Sequence, residues 1–299
     1  MAIVDAHHHL WDLELLPYPW LRPDAPPRPF GDHTQIKRDY LPDAYRRDMA
    51  GLSISASVHV EAAPGADDPT AETRWLQTIA SQGGIPTVSV AHADLCAADI
   101  ADRLDALLNF PLLRGVRAGL AWRANSPWHF AGGPGLAGEP KFRAGVAQLA
   151  RRNLSLDLVL LPEQLPEIAD LARDFPETHF VLDHLATLEL GPAGSLENWL
   201  AGIAEVARLP NVSIKLSGLW TVSRRWRIAA LRDPIRHAVG SFGPTRCMWG
   251  SNLPIETLMC DAATQVAVLH AILDDYSPAD LGEVFGDTAR RVYRIGRDA

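Results

Sequence analysis

The sequence predicts an α/β protein, a single (β/α)8 barrel spanning residues 1–299. Eight short β-branched runs alternate with helical stretches, at the spacing a βα unit needs. Several runs, such as "FVLDH" and "LSLDLVLL", are almost wholly apolar, as parallel strands covered on both faces require. Imidazole and charged side chains recur at the C-terminal ends of the runs, where this fold builds its sites.

The predicted strands are Ile3–His7, Ser53–Val60, Pro86–His92, Leu113–Leu120, Leu154–Leu160, His179–His184, Val212–Leu216 and Arg246–Gly250. Between the first two, Tyr40–Gly51 reads as a helix, with an i, i+4 apolar pair in Tyr45 and Met49 and a glycine stop. Ala71–Gly83 ends at a Gly-Gly pair. Ser195 reads as an N-cap before "LENWLAGIAEVARL". Ser277-Pro278-Ala279-Asp280 places a cap, a first-turn proline and an acid three residues on, opening one final helix to about Tyr293. Two stretches break this rhythm: the proline-rich Pro17–Gln35, and Trp122–Pro140 with its glycines and aromatics. They follow strands one and four, so both belong at the barrel mouth as functional loops. An open doubly wound sheet gives a similar alternation, but no G-x-G-x-x-G follows the first strand.

Composition excludes several classes. The 299 residues are 47% hydrophobic and 21% charged, ordinary globular values. The net charge is −8 and no Lys/Arg run exceeds two residues, so no nucleic-acid partner is expected. Cys96, Cys247 and Cys260 fit no zinc or redox spacing and read as free thiols. The N-terminus carries no signal-peptide pattern, and no apolar run approaches the ~18 residues of a membrane span. A cytoplasmic protein with no membrane partner is the expectation. Oligomeric state is not encoded in any visible pattern.

The chemistry-bearing residues sit at strand ends. His7 and His9, two apart, face one side of strand one and suit a divalent metal, while His8 points away. Of Asp183 and His184, ending strand six, one points inward. His59 and Glu61 on strand two share a face by the same alternation. His92, Arg117, Asp157 and Lys215 end strands three, four, five and seven. Arg117 and Lys215 suit an anionic or polyhydroxylated small molecule. Gly250-Ser251-Asn252-Leu253-Pro254 is a tight strand exit. Trp11, Trp20, Trp122 and Trp128 either line a pocket or pack the loops down. No nucleophile elbow or Walker A loop is present.

These segments in order, "DAHHHLWD", "YPWL", "SVHVEA", "RGVRAGL", "FVLDHLA", "NVSIKLSGLW" and "RCMWGSNLP", resemble the amidohydrolase-related, metal-dependent TIM-barrel hydrolases. The resemblance runs from residue 3 to about residue 295. It is nearest to the sugar-lactonase branch, which includes fuconolactonase-like and pyrone-dicarboxylate lactonase-like proteins. It implies a hydrolase that opens a sugar-acid or dicarboxylate lactone by water attack at the barrel mouth. The family's H-x-H falls on His7 and His9, its strand-six histidine on His184, and its strand-eight aspartate position on Asn252. His7, His9 and His184 are thereby the implied holders of one divalent metal, zinc or manganese. Members of the lactonase branch also work without a tightly held metal. Asn252 departs from the pattern, because an amide cannot serve as general base. That leaves His184, His92, Glu61 or Asp157 for the base, with Arg117, Lys215, Asp157, His59 and Trp11 as substrate contacts. Two alternatives stand beside the lactonase: a metal-dependent decarboxylase of the same superfamily, which Asn252 disfavours, and a barrel that binds a ligand without turning it over.

Overall fold

The computed structural model describes residues 2–124, 126–189, 196–222 and 227–296. Eight strands form one sheet in sequential order: β1 Ile3–His8, β2 Ile54–Val60, β3 Val88–His92, β4 Leu113–Gly119, β5 Ser155–Val159, β6 Phe180–Leu182, β7 Val212–Leu216 and β8 Cys247–Trp249. Every neighbouring pair from β1–β2 to β7–β8 is parallel. The seam between β8 and β1 closes through the turn after β8. There the Asn252 N–H donates to the His7 carbonyl at 2.7 Å, and the His9 N–H to the Leu253 carbonyl at 2.7 Å. Asp5 strengthens the seam by accepting from the Ser251 N–H and hydroxyl at 2.8 and 2.7 Å, and from the Tyr45 hydroxyl at 3.0 Å.

The helices between strands are α1 Pro42–Asp48, α2 Ala71–Gly83, α3 Ile100–Leu107, α4 Pro140–Ala150, α5 Leu165–Asp174, α6 Leu196–Val206, α7 Ile228–Phe242 and α8 Ala262–Ile272. Strand alternation divides the apolar residues into two layers. Leu156, Leu158, Ile214 and Leu216 point outward and merge with the helices' buried faces into one core. Val58, Val60, Val88, Val90, Val181 and Met248 point inward and fill the bore. A barrel of eight strands is just wide enough to be filled in this way.

The C-terminal segment differs from the single helix the sequence predicts. Ser277 caps it as expected, exchanging hydrogen bonds with Asp280. After Pro278–Gly282, however, the chain widens into a π-helical turn, Glu283–Asp287, before Thr288–Val292. Tyr293 then enters the bore's apolar cluster, and its hydroxyl donates to Asp157 Oδ2 at 2.6 Å. The predicted cap at Ser195 lies outside the described residues. The two long connections leave the C-terminal ends of β1 and β4, as the parallel topology demands. No described helix is long and apolar enough to cross a membrane.

Candidate active site

The site begins with an irregularity in β1. Asp5 pairs with Ser57 and His8 with His59, so β1 advances three residues while β2 advances two. An extra residue of this kind is a β-bulge, and it resets which side chains face inward. His8 and His59 are register partners on the outer side of the sheet, with rings 5.8 Å apart, and the His8 ring packs on Tyr45 of α1 at 4.3 Å. His7 and His9 face the other way, their ring centroids 5.1 Å apart. His9 Nδ1 lies 2.7 Å from the Val60 carbonyl. A carbonyl only accepts, so Nδ1 carries the proton and Nε2 keeps its lone pair. Burial holds His7, His8 and His9 well below the ordinary imidazole value, so all three are neutral at pH 7.

Beneath His7 lies a buried ionic network. Lys215 Nζ is 2.6 Å from Asp157 Oδ2, 3.0 Å from Asp183 Oδ1 and 3.3 Å from His7 Nδ1. Asp183 Oδ1 also lies 3.3 Å from His7 Nδ1, and Asp183 Oδ2 is 3.9 Å from Arg117. Burial alone would raise the Asp183 carboxyl, but Lys215 and His7 pull it well below the usual range. Arg117 makes its closest pair with Glu61, at 2.6 Å, and also donates to the Glu61 carbonyl. Against the cost of burying Glu61, Arg117 holds that carboxyl below its ordinary value.

Two residues enter the mouth from left-handed backbone positions. His184, at φ +54°, follows β6 and places Nδ1 3.0 Å from the Ser217 hydroxyl. Burial lowers its pKa to about 4. Its ring centroid is 4.6 Å from that of His7. Gly218 makes room for it: a Cβ there would stand 2.6 Å from His184 Nδ1. Asn252, at φ +53°, follows β8, and its Nδ2 donates to Glu256 Oε2 at 3.1 Å. That bond fixes the amide orientation and leaves Asn252 Oδ1 buried with no hydrogen-bond partner. Glu256 is itself held by the Trp220 N–H at 2.6 Å and the Thr221 hydroxyl at 2.6 Å.

Above these groups lies a cavity of about 300 Å³. Its floor presents His9, Arg117, His184 and Asn252, with Glu61 and the exposed His92 at the side. The remaining sequence candidates lie elsewhere. Lys215 and Asp157 are fully buried and paired below the floor, out of reach of a ligand in the cavity. His59 does not share Glu61's position, since it faces outward and its Nε2 bonds the Leu10 carbonyl at 3.2 Å. Trp11 is fully buried, donates to the Arg38 carbonyl and stands edge-on behind Trp20. It is Trp20 that reaches the cavity, with Arg28 and Phe30 of the same loop and Trp128 and Phe130 of the loop after β4. Nothing in the spacing of Arg28 or Glu256 marks either residue in the sequence. Asp183 is legible there only as one of a pair, and in the structure both members of that pair turn inward.

The donor set fits a cation. His7, Asp183 and His184 offer ligand atoms that all lie within 4.8 Å of one another. His7 Nε2 is buried with no hydrogen-bond partner. With the proton on one ring nitrogen, the other His7 nitrogen keeps the lone pair that a metal ligand needs. Two imidazoles and a carboxylate suit zinc. His9 stands outside this compact group.

The barrel, its strand-end histidines and its buried carboxylates define a hydrolase site at the C-terminal face of the barrel. The chain belongs to the amidohydrolase family, which it matches over residues 4–295. It is 33% identical over 295 residues to the protein y4mH of Sinorhizobium fredii, with 99% of each chain covered. It is 28% identical over 299 residues to an L-fucono-1,5-lactonase of Burkholderia ambifaria, covering 98% of this chain and 96% of that one. A crystal structure of a Burkholderia multivorans amidohydrolase with bound zinc superposes with a TM-score of 0.80 at 28% identity, over 99% of this chain and 100% of the other.

Proposed function

We propose that this chain opens a small lactone by attack of water on the ring carbonyl. The observation that carries the reading is the compact His7–Asp183–His184 group, whose His184 lines a cavity together with His9 and Asn252. Its likeness to proteins named L-fucono-1,5-lactonase supports the same reaction class.

A divalent cation held by His7, Asp183 and His184 would polarise the lactone carbonyl as a Lewis acid. The chain's own groups do the rest. Asn252 Oδ1 accepts a hydrogen bond from the attacking water and orients it. His9 Nε2 takes that water's proton, since its Nδ1 proton is fixed on Val60. The water oxygen bonds to the carbonyl carbon and the ring C–O bond breaks. The departing ring oxygen takes the proton back from His9, giving a hydroxy acid. Arg117, oriented by Glu61, presents its remaining N–H groups to the developing oxyanion. Lys215 pairs with both Asp183 and Asp157 from below and favours the ionised form of Asp183.

The test is a screen of the purified protein on aldonolactones and pyrone dicarboxylates, read by acid release with a pH indicator. Turnover of one or more lactones is expected. No acid release from any of them, with folded and metal-supplemented protein, overturns the reading.

A further inference from the structure

Resting on that reading, we infer that Arg28 is an anion-recognition residue and that the substrate carries a carboxylate of its own on a largely apolar body. This differs from what a neutral, polyhydroxylated sugar lactone would need.

Arg28 comes from the loop after β1. Its guanidinium lies 5.6 Å from the Trp20 ring and 5.3 Å from the Phe130 ring, the latter on the other long loop. The two loops thus hold one cation between two aromatic faces, a rigid mount of the cation–π kind. Its Nε is buried with no hydrogen-bond partner, and among the described residues no carboxylate lies within ion-pair range of it. Glu61, the acid in the same cavity, is already committed to Arg117. A partly buried guanidinium without an anion is costly, and a ligand carboxylate would satisfy it in a bidentate manner.

Much of the wall is apolar and suits a sugar poorly. Phe30, Ala62, Pro64, Val159, Val222 and Ile255 line the cavity and offer no polar side-chain atom. A polyhydroxylated ring pressed against these side chains would lose hydrogen bonds to water that only the floor and side groups could replace. An unsaturated or alkyl-substituted lactone with a carboxylate would not.

Arg28 faces the loop side of the cavity, whereas the reacting carbonyl belongs over His9 and His184. The carboxylate formed by ring opening is therefore a different group from the one Arg28 binds, and the experiment separates them. Turnover is compared on a carboxylated lactone, 2-pyrone-4,6-dicarboxylate, and on neutral L-fucono-1,5-lactone, for wild type, Arg28→Met and Arg28→Lys. The expected result is a loss in kcat/KM at least about tenfold greater on the carboxylated lactone than on the neutral one, mainly through KM, with partial recovery in Arg28→Lys. Equal losses on both lactones, or a wild-type preference for the sugar lactone, overturn the inference.

A calorimetric titration with benzene-1,3-dicarboxylate separates this inference from the hydrolase reading. Binding by wild type that weakens at least about tenfold in Arg28→Met supports the anion site even if no lactone is opened. Binding that is absent in wild type, or that is unchanged in Arg28→Met, alongside lactone turnover, removes the anion site and leaves the hydrolase standing.

Discussion

Asn252 Nδ2 donates to Glu256 Oε2 at 3.1 Å, which leaves the amide oxygen buried without a hydrogen-bond partner. The two residues form a matched pair. Glu256 is fully buried and burial raises its carboxyl above the ordinary value. Asn252→Asp would set two carboxylates side by side, and one would have to keep a proton. The single variant is expected to lose stability as pH rises through the titration of the paired carboxyls, and to gain little metal affinity. Combining Asn252→Asp with Glu256→Gln exchanges the two roles. The amide introduced on the neighbouring turn can donate to the new carboxylate, while its oxygen still serves the Trp220 and Thr221 N–H groups. The double variant should bind zinc more tightly than either single change, measured by metal analysis after dialysis. Full metal gain in Asn252→Asp alone would contradict the pairing.

His9→Asn separates the proposed proton carrier from the metal group. An asparagine amide can still donate to Val60, but it has no equivalent of Nε2. The expected loss in kcat is about 10²–10⁴-fold, with KM little changed. Zinc content after loading should match wild type, whereas His184→Asn should bind less. Loss of zinc in His9→Asn equal to that in His184→Asn would make His9 a ligand instead.

Lys215→Met leaves Asp157 and Asp183 buried without their shared cation. Removing one partner from a buried ionic group costs about 3–5 kcal/mol. Urea melts should show a loss of that size. A variant as stable as wild type would mean that one of the two carboxyls is already protonated in the native protein.

Glu72 predicts a pH effect far from the chemistry. It is buried on α2, where it accepts from the Tyr18 hydroxyl at 3.1 Å and the Ala62 N–H at 3.1 Å, tying the loop after β1 to the end of β2. Burial, and then the charge of Glu61, raise its pKa from 4.5 to about 8. The folded state therefore binds the proton more tightly than the unfolded state does. The stabilising contribution is complete below the unfolded value and is lost as pH rises through the folded one. Glu72→Gln keeps an oxygen for both donors and removes the ionisation. The variant should be more stable than wild type by about 1–3 kcal/mol near pH 8, with a small difference near pH 5. Parallel stability curves for the two proteins would contradict this.

Much of the barrel could be read in advance, because parallel strands buried on both faces leave continuous apolar runs. The breaks in rhythm at Pro17–Gln35 and Trp122–Pro140 mark the loops at the mouth for the same reason. What alternation could not supply was depth and phase. Asp157 lies at the middle of β5 and Lys215 one residue before the end of β7, and both are fully buried, whereas Arg117 and His92 line the cavity. His59 and Glu61 are two apart, but β2 ends between them and the pattern lapses. The bulge in β1 happens to leave His7 and His9 on the inner side, and the sequence carries no mark of it. Arg28 and Glu256 act through partners distant in sequence, Phe130 for one and Trp220 and Thr221 for the other, so no local pattern announces them.

The central claim, that water attacks a lactone carbonyl here, is tested most directly by turnover in water enriched in heavy oxygen. The product is then examined by mass spectrometry. The account predicts one solvent oxygen in the new carboxylate of every hydroxy-acid product formed in a single turnover, with no carbon dioxide released. Product without solvent oxygen, or loss of carbon dioxide from the substrate, would contradict it.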